Sequence, residues 1–417
     1  MTTAIGALST RSTPVAAAPP RNASWRTVVL AAVATWAAIR VVYAALTLFV
    51  LTISAASSVP LDTFVRAWNH YDSRVFLLIS QQGYWSLPAS AFYPLYPALI
   101  AGVSRVLGIG ADADSVGRLL VSLGIANAAA LVGLVGLALL AWTEERSDAV
   151  ADRAVRMAVV YPFAFVLATG YSESLFLAES VFCLLFARRG WWPAAAVAAL
   201  LAGATRPTAV VLVAPLLWEY VRQQRSSWPS AWTSPRSWWR ALPSLAGGAA
   251  VVGAAPAAIA GYMAYQWRHY GSPFTSFEVE GATWDRHLTP PWLTARAILH
   301  SLLIGPHWSA HETKLLATIL AVVAILAVTL LGLRRAPFAF TLYMLGLIGL
   351  SVATPSLVYY EVIASAGRFL AVSAPAFILM GRWITRRPAL EFPVTSVLLV
   401  VQVMLAVGYL YDGEGIL

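Results

Sequence analysis

The sequence predicts an all-α polytopic membrane protein, a bundle of about eleven helical spans with juxtamembrane helices in its first external loop. Three observations predict it. Apolar residues make up 59% of the 417-residue chain and charged residues 11%. An ordinary soluble domain has about 45–50% and about 25%, so this chain could not cover its own surface in water. Long apolar stretches recur between short polar or proline-containing breaks, as a helix bundle in lipid requires. Finally, arginines gather in alternate connections between those stretches. Together these exclude a soluble enzyme, a disordered protein and a nucleic-acid binder, despite a net charge of +9.

The elements follow in order. Residues 1–25 are rich in Thr, Ala, Ser and Pro and read as a disordered cytoplasmic tail. Residues 26–417 then form one membrane-embedded domain. Spans are expected near 28–53, 116–142, 154–170, 175–187, 191–205, 208–220, 241–266, 314–333, 337–354, 368–384 and 392–410. Six clusters hold 17 of the 28 basic residues: Arg11, Arg21 and Arg26; Arg146, Arg153 and Arg156; Arg188 and Arg189; Arg222, Arg225, Arg236 and Arg240; Arg334 and Arg335; Arg382, Arg386 and Arg387. All fall on one side if the N-terminus is cytoplasmic. The other side receives the external loops 54–115 and 267–313, all six histidines and the short breaks 171–174, 206–207 and 355–367. Parity requires 91–108 to lie along the membrane without crossing it. Arginine outnumbers lysine 27 to one, the exception being Lys314. With abundant alanine, that bias points to a GC-rich genome and a bacterial plasma membrane. The single cysteine, Cys183, excludes an intrachain disulfide and a cysteine metal cage. The 17 tryptophans cluster near span ends as an aromatic belt, some of them also suited to stack on a sugar.

Four constellations could carry chemistry. In Trp68-Asn69-His70-Tyr71-Asp72-Ser73-Arg74, Asp72 is either a general base near the membrane surface or an interfacial acid paired with Arg74 or Arg66. In Tyr171-Ser172-Glu173-Ser174, Glu173 either completes a capped helix N-terminus with Ser172 or faces Asp72 across a cavity. Glu179 lies deeper in the apolar run, where an ionisable group faces the bundle interior. Arg40, Arg206 and Arg368 mark the external boundary. Arg40 either snorkels or pairs with Glu179, or all three recognise a lipid phosphate, which a planar guanidinium suits. The fourth is the external loop from His269-Tyr270-Gly271-Ser272-Pro273-Phe274 through Trp284-Asp285-Arg286 to Pro290-Pro291-Trp292. There His307 and His311 stand at i, i+4 beside Glu312, the one pair at a helical metal-ligand spacing. No third ligand is spaced with it, so a divalent metal has no specific motif here, and no cofactor is implied.

In combination these motifs resemble the PIG-V family, which contains the second mannosyltransferase of GPI-anchor assembly. The residues that carry the resemblance are His70-Tyr71-Asp72 with Phe76 and Gly83-Tyr84, then Ala91-Phe92-Tyr93-Pro94-Leu95-Tyr96-Pro97. Tyr161-Pro162-Phe163 and Tyr171-Ser172-Glu173-Ser174-Leu175-Phe176 follow, then Ala187-Arg188-Arg189-Gly190 and Thr205-Arg206-Pro207-Thr208. Tyr270-Gly271-Ser272-Pro273-Phe274 and Pro290-Pro291-Trp292 complete the series, which runs from about residue 36 to 385. The resemblance implies a GT-C-type fold and transfer of a hexose, mannose by analogy, from a polyprenyl-phosphate donor to a lipid or glycan acceptor. It implies catalytic roles for Asp72 and Glu173. Arg206, Arg368 and Arg40 are then expected to hold the donor phosphate, and His70, Tyr71, Arg74, Tyr93, Tyr96, Tyr171 and Ser172 to line the substrate. The family usually has Trp where Tyr71 stands and often a polar residue where Val75 stands, so acceptor recognition is where this chain departs. Membrane lipids are the remaining partners, and nucleic acid is not one. The competing reading is a lipid-linked flippase or secondary transporter with Arg40 and Glu179 lining a pathway; the lack of an internal repeat argues against it.

Overall fold

A computed structural model describes residues 24–54, 59–110, 116–225, 235–304, 310–356, 362–363 and 365–411. The expected tail up to residue 23, and His307, lie outside the described residues. The architecture is all-α, and among the described residues the only β pairing is an isolated bridge between Arg286 and Ser356. Among the described residues, five helices are long and apolar enough to cross a membrane: Trp25–Ile53, Val116–Glu145, Ala241–Tyr270, Thr313–Gly332 and Pro388–Tyr411. The protein is therefore an integral membrane protein.

The chain begins with α1 (Trp25–Ser54), then α2 (Leu61–Arg66), α3 (Asp72–Gln82) and α4 (Leu95–Val106) in the first loop. Helix α4 has 12 residues. At 1.5 Å per residue it reaches about 18 Å, too short to cross about 30 Å of hydrocarbon. Next come α5 (Val116–Glu145), α6 (Asp148–Val160), α7 (Glu173–Arg188), α8 (Trp192–Thr205) and α9 (Val213–Gln224). The chain continues through α10 (Pro235–Tyr270), α11 (Thr275–Trp284), α12 (Pro291–Ile304), α13 (Ala310–Gly332), α14 (Phe338–Ala353), α15 (Ala366–Phe369), α16 (Ala374–Thr385) and α17 (Glu391–Tyr411).

Two expected spans are interrupted. The stretch 154–170 is helical only to Val160, because Pro162 holds the preceding Tyr161 in an extended conformation (φ −55°, ψ 134°). A fully buried irregular segment, with one 3₁₀ turn at Ala164–Leu167, then leads to Glu173. The stretch 368–384 is likewise divided, and α16 starts afresh at Ala374 with Pro375 in its first turn, where a missing N–H costs nothing. These breaks are what bring polar side chains into the bundle.

The helices pack through small residues. Ala195, Ala198, Ala199 and Ala202 form one buried stripe of α8, and Val251, Ala254 and Ala255 are buried on α10, the helix packed closely on it. Helices of lipid-embedded bundles gain by such close approach, since burial from lipid offers no hydrophobic drive. The two ends of the bundle differ. One end carries the first loop: the Trp68 indole donates to Thr47 at the end of α1, and Tyr409 of α17 donates to the Trp68 carbonyl. Tyr262 of α10 donates to the Ser90 carbonyl, and Tyr96 of α4 to the Ser122 carbonyl. At the opposite end Arg153, Arg188 and Arg382 are tied across helices by Arg188–Glu144, Arg188–Glu219, Arg153–Glu391 and Arg382–Glu145 ion pairs.

Candidate active site

Asp72 and Glu173, a hundred residues apart, are brought to one place by two arginines. Arg368 Nη1 lies 2.5 Å from Asp72 Oδ2 and its Nε lies 3.7 Å from Glu173 Oε1. Arg206 Nη1 lies 2.8 Å from the same Glu173 oxygen. The order Asp72–Arg368–Glu173–Arg206 is thus a chain of alternating charge. It is set into the end of the bundle that carries the first loop. Asp72 is the most open member, with 23% of its side chain exposed against 1% for Glu173. Asp72 therefore pairs with Arg368, and the expected alternative of Arg74 is not met: Arg74 is exposed.

Local sequence explains how each side chain is aimed. Tyr71, just before α3, has φ 51° and ψ −122°, a left-handed turn rare for a bulky residue. It swings the chain so that Asp72 opens α3, where the helix N-terminus favours a carboxylate. Pro207 holds Arg206 extended (φ −154°, ψ 144°) and ends α8 there. Glu173 opens α7 at the end of the buried 161–172 segment. Ser172 occupies the N-cap position but makes no capping bond; its hydroxyl accepts from Arg206 Nη1 at 3.1 Å. Two glycines let the segments meet. A Cβ on Gly170 would fall 2.5 Å from Ser73 Oγ and 2.7 Å from Ser122 Oγ, and one on Gly367 would overlap the Phe163 ring. Tyr161 fastens the same join by donating to the Gly367 carbonyl at 2.8 Å.

The cluster is incompletely hydrogen-bonded. Neither oxygen of Glu173 takes an aligned hydrogen bond despite its ion pairs, and Arg368 Nε and the Thr208 hydroxyl are also buried without one. A small cavity lies against them, lined by Glu173, Phe176, Arg206, Thr208 and Phe369 among others. Buried polar groups left in this state favour a ligand or water that completes them. Thr208 belongs to the Thr205-Arg206-Pro207-Thr208 motif, but sequence reasoning did not single it out as a site residue.

The other expected site residues divide. Tyr171 is fully buried beneath the cluster with the Arg368 guanidinium 5.3 Å from its ring centre, and burial pushes its phenol well above the ordinary value. His70 packs edge-on against Tyr409, 5.2 Å between centres. Burial, and then the Arg74 charge, hold its imidazole below the ordinary value. Tyr93, within the first loop, is buried against Tyr262 of α10 at 4.7 Å. Tyr96 is wholly buried and its hydroxyl is spent on Ser122, so the structure makes it a core residue of the α4–α5 contact. Arg40 is not paired with Glu179. Its Nε donates to Asn127 at 2.5 Å and its Nη2 to the Leu167 carbonyl at 3.0 Å, while Asn127 donates to the Ala168 carbonyl. Arg40 thus clamps the segment that delivers Glu173. Glu179 instead accepts from the Thr205 hydroxyl at 2.9 Å. Among the described residues no group of three or more His, Cys, Asp or Glu side chains is placed to hold a metal ion.

Fold and site define a polytopic all-α membrane protein with a buried cluster of two carboxylates and two guanidiniums at one end. No family model matches the chain and no curated protein does. Among solved structures, it is similar to an oligosaccharyltransferase of Archaeoglobus fulgidus tethered with an acceptor peptide, at 12% identity and TM-score 0.47, over 91% of this chain and 55% of that one. The apo form of that enzyme gives 13% identity and TM-score 0.43, over 88% and 56%. Its complex with an inhibitory peptide and a dolichol-phosphate gives 12% and 0.40, over 91% and 55%. The chain spans about half the length of these structures.

Proposed function

We propose that the protein is a membrane glycosyltransferase that moves a hexose, mannose by the family resemblance, from a polyprenyl-phosphate donor to a lipid or glycan acceptor on the external face. The observation that carries this reading is Arg368 bridging Asp72 and Glu173 next to Arg206. It supplies a base and a phosphate-binding pair within one site. The more exposed Asp72 accepts the proton of the acceptor hydroxyl. That oxygen bonds to the anomeric carbon as the bond from that carbon to the phosphate oxygen breaks, its electron pair leaving with the phosphate. Arg206 and Arg368 offset the charge of the departing phosphate, which is the charge that grows in the transition state. A single displacement converts a β-linked donor to an α-linked product. Glu173 keeps both guanidiniums oriented, and Arg40 holds the segment that carries Glu173. His70, Tyr71, Arg74, Tyr93 and Tyr171 surround the acceptor side of the site in this reading.

The test is a membrane assay with radiolabelled polyprenyl-phosphate mannose and candidate acceptors, comparing wild type with Asp72→Asn. The variant keeps expression and donor binding and loses transfer by about 100- to 10,000-fold, the usual range for a general base. Unchanged transfer in Asp72→Asn removes that residue from the mechanism. Flipping of a labelled lipid in proteoliposomes with no sugar transferred replaces the transferase with a carrier.

A further inference from the structure

We propose that Arg286 is a third donor-phosphate ligand, completing with Arg206 and Arg368 a cradle around Phe369 for the lipid phosphate of the donor. The inference rests on reading the cluster as a prenyl-phosphate site, and it adds a residue to that reading.

The geometry starts from Phe369. The guanidinium carbons of Arg206, Arg286 and Arg368 lie 4.8, 5.8 and 5.2 Å from the centre of its ring. Among the described residues, every other ring in such contact carries one guanidinium. The negative face of an aromatic ring attracts a guanidinium, and the planar fork remains able to grip phosphate oxygens in its own plane. One phenyl ring thus gathers three phosphate-binding groups contributed by three distant segments.

Arg286 is built into this position. Asp285 ends α11 in a left-handed conformation (φ 50°, ψ 36°) that turns the chain toward the cluster. Like Tyr71 before Asp72, it is a non-glycine residue at positive φ immediately before a charged residue of the site. Arg286 then pairs through its backbone with Ser356. Its Nη2 donates to Ser365 Oγ at 2.5 Å, three residues before Arg368, and its Nη1 lies 3.3 Å from Glu280 Oε2. Burial lowers the affinity of Arg286 for its proton; the charge of Arg368 adds to this, while Glu280 and Asp72 oppose it.

The small cavity beside Arg206 and Phe369 carries the unbonded Thr208 hydroxyl on its wall, a further donor next to the cradle.

The test uses the full chain in lipid nanodiscs, without acceptor, and measures binding by native mass spectrometry. The probes are polyprenyl-phosphate mannose, phosphatidylglycerol and inorganic phosphate. Wild type is expected to favour polyprenyl-phosphate mannose over the other two. Arg286→Gln weakens that binding about 10- to 100-fold, the scale of one charge-assisted hydrogen bond, and Arg286→Lys weakens it less. Ser365→Ala, which removes one anchor of Arg286, weakens it several-fold and serves if Arg286→Gln does not fold. Wild-type affinity in both Arg286→Gln and Ser365→Ala overturns the proposal. So does equal wild-type affinity for phosphatidylglycerol or inorganic phosphate, which makes the cradle a general anion site. Arg286-dependent donor binding without any sugar transfer sinks the transferase reading and leaves the cradle standing. Normal transfer with Arg286-independent binding sinks the cradle alone.

Discussion

The two ends of the bundle both hold arginines paired with acids, and they use them in opposite ways. At the end away from the first loop, Arg188 gives three hydrogen bonds, at 2.7 and 2.8 Å to the two oxygens of Glu144 and at 2.9 Å to Glu219. The second Glu219 oxygen accepts from Arg222 at 2.6 Å and from Gln223 at 3.1 Å. The donors and acceptors match, and α5, α7 and α9 are fastened together. At the other end, Glu173 lies within ion-pair distance of two arginines yet takes no aligned hydrogen bond, and Arg368 Nε and Thr208 are left over. A satisfied network holds helices in place. An unsatisfied one at the edge of a cavity has capacity for a substrate.

The contrast can be broken or sharpened by substitution. The largest effect is expected from Arg368→Ala, which leaves Asp72 without its partner and Glu173 with Arg206 alone, and removes a proposed phosphate ligand. Transfer per folded molecule falls about 100- to 1000-fold, the cost of losing one preorganised charge-stabilising donor; a rate within a few-fold of wild type in the sugar-transfer assay would dissolve the distinction between the ends. Arg188→Ala is its counterpart. It leaves Glu144 without its guanidinium and Glu219 with Arg222 and Gln223 alone, and costs about 3 kcal/mol of stability, read as a lower unfolding midpoint in detergent, while the specific activity of the folded fraction stays at the wild-type value. Gly367→Ala drives a methyl into the Phe163 ring beside Arg368. It is expected to cost about 1–3 kcal/mol and to lower activity as well, since the same join positions the arginine; comparing unfolding midpoint with donor KM separates the two.

The smallest effect concerns His70. Its folded-state pKa is depressed, so as pH falls below about 6.5 the unfolded chain takes up a proton before the folded protein does. Stability is full above that pH and declines as pH falls, until folded His70 is protonated too. His70→Gln flattens this part of the stability–pH curve, which unfolding midpoints between pH 5 and 8 would reveal.

Much of the site was legible because its motifs are local. Tyr71-Asp72, Ser172-Glu173, Arg206-Pro207 and Arg368-Phe369 each pair a charged residue with a neighbour that shapes or flanks it. What joins them was not legible: Arg368 meets Asp72 across 296 positions of sequence. Arg286 stands in a loop without helical periodicity, so nothing near it indicated that Phe369 would gather it with Arg206 and Arg368. The partners of Arg40 are likewise distant in sequence. Its residue type suits a phosphate, but Asn127 and the Leu167 carbonyl reach it first. Tyr96 lies in a motif shared with substrate-lining residues, yet it points into the α4–α5 contact.

Composition and the spacing of apolar runs determined that this chain folds as helices in a bilayer, because a lipid-facing backbone must satisfy its own hydrogen bonds. Prolines at 162, 207 and 375 determined where helices stop or restart, since a missing N–H and a crowded preceding residue act locally. The tertiary structure alone decided which charges meet, which of them saturate one another, and which are left open beside a cavity. Those outcomes depend on how helices distant in sequence approach one another, and electrostatic pairing is a property of distance in space.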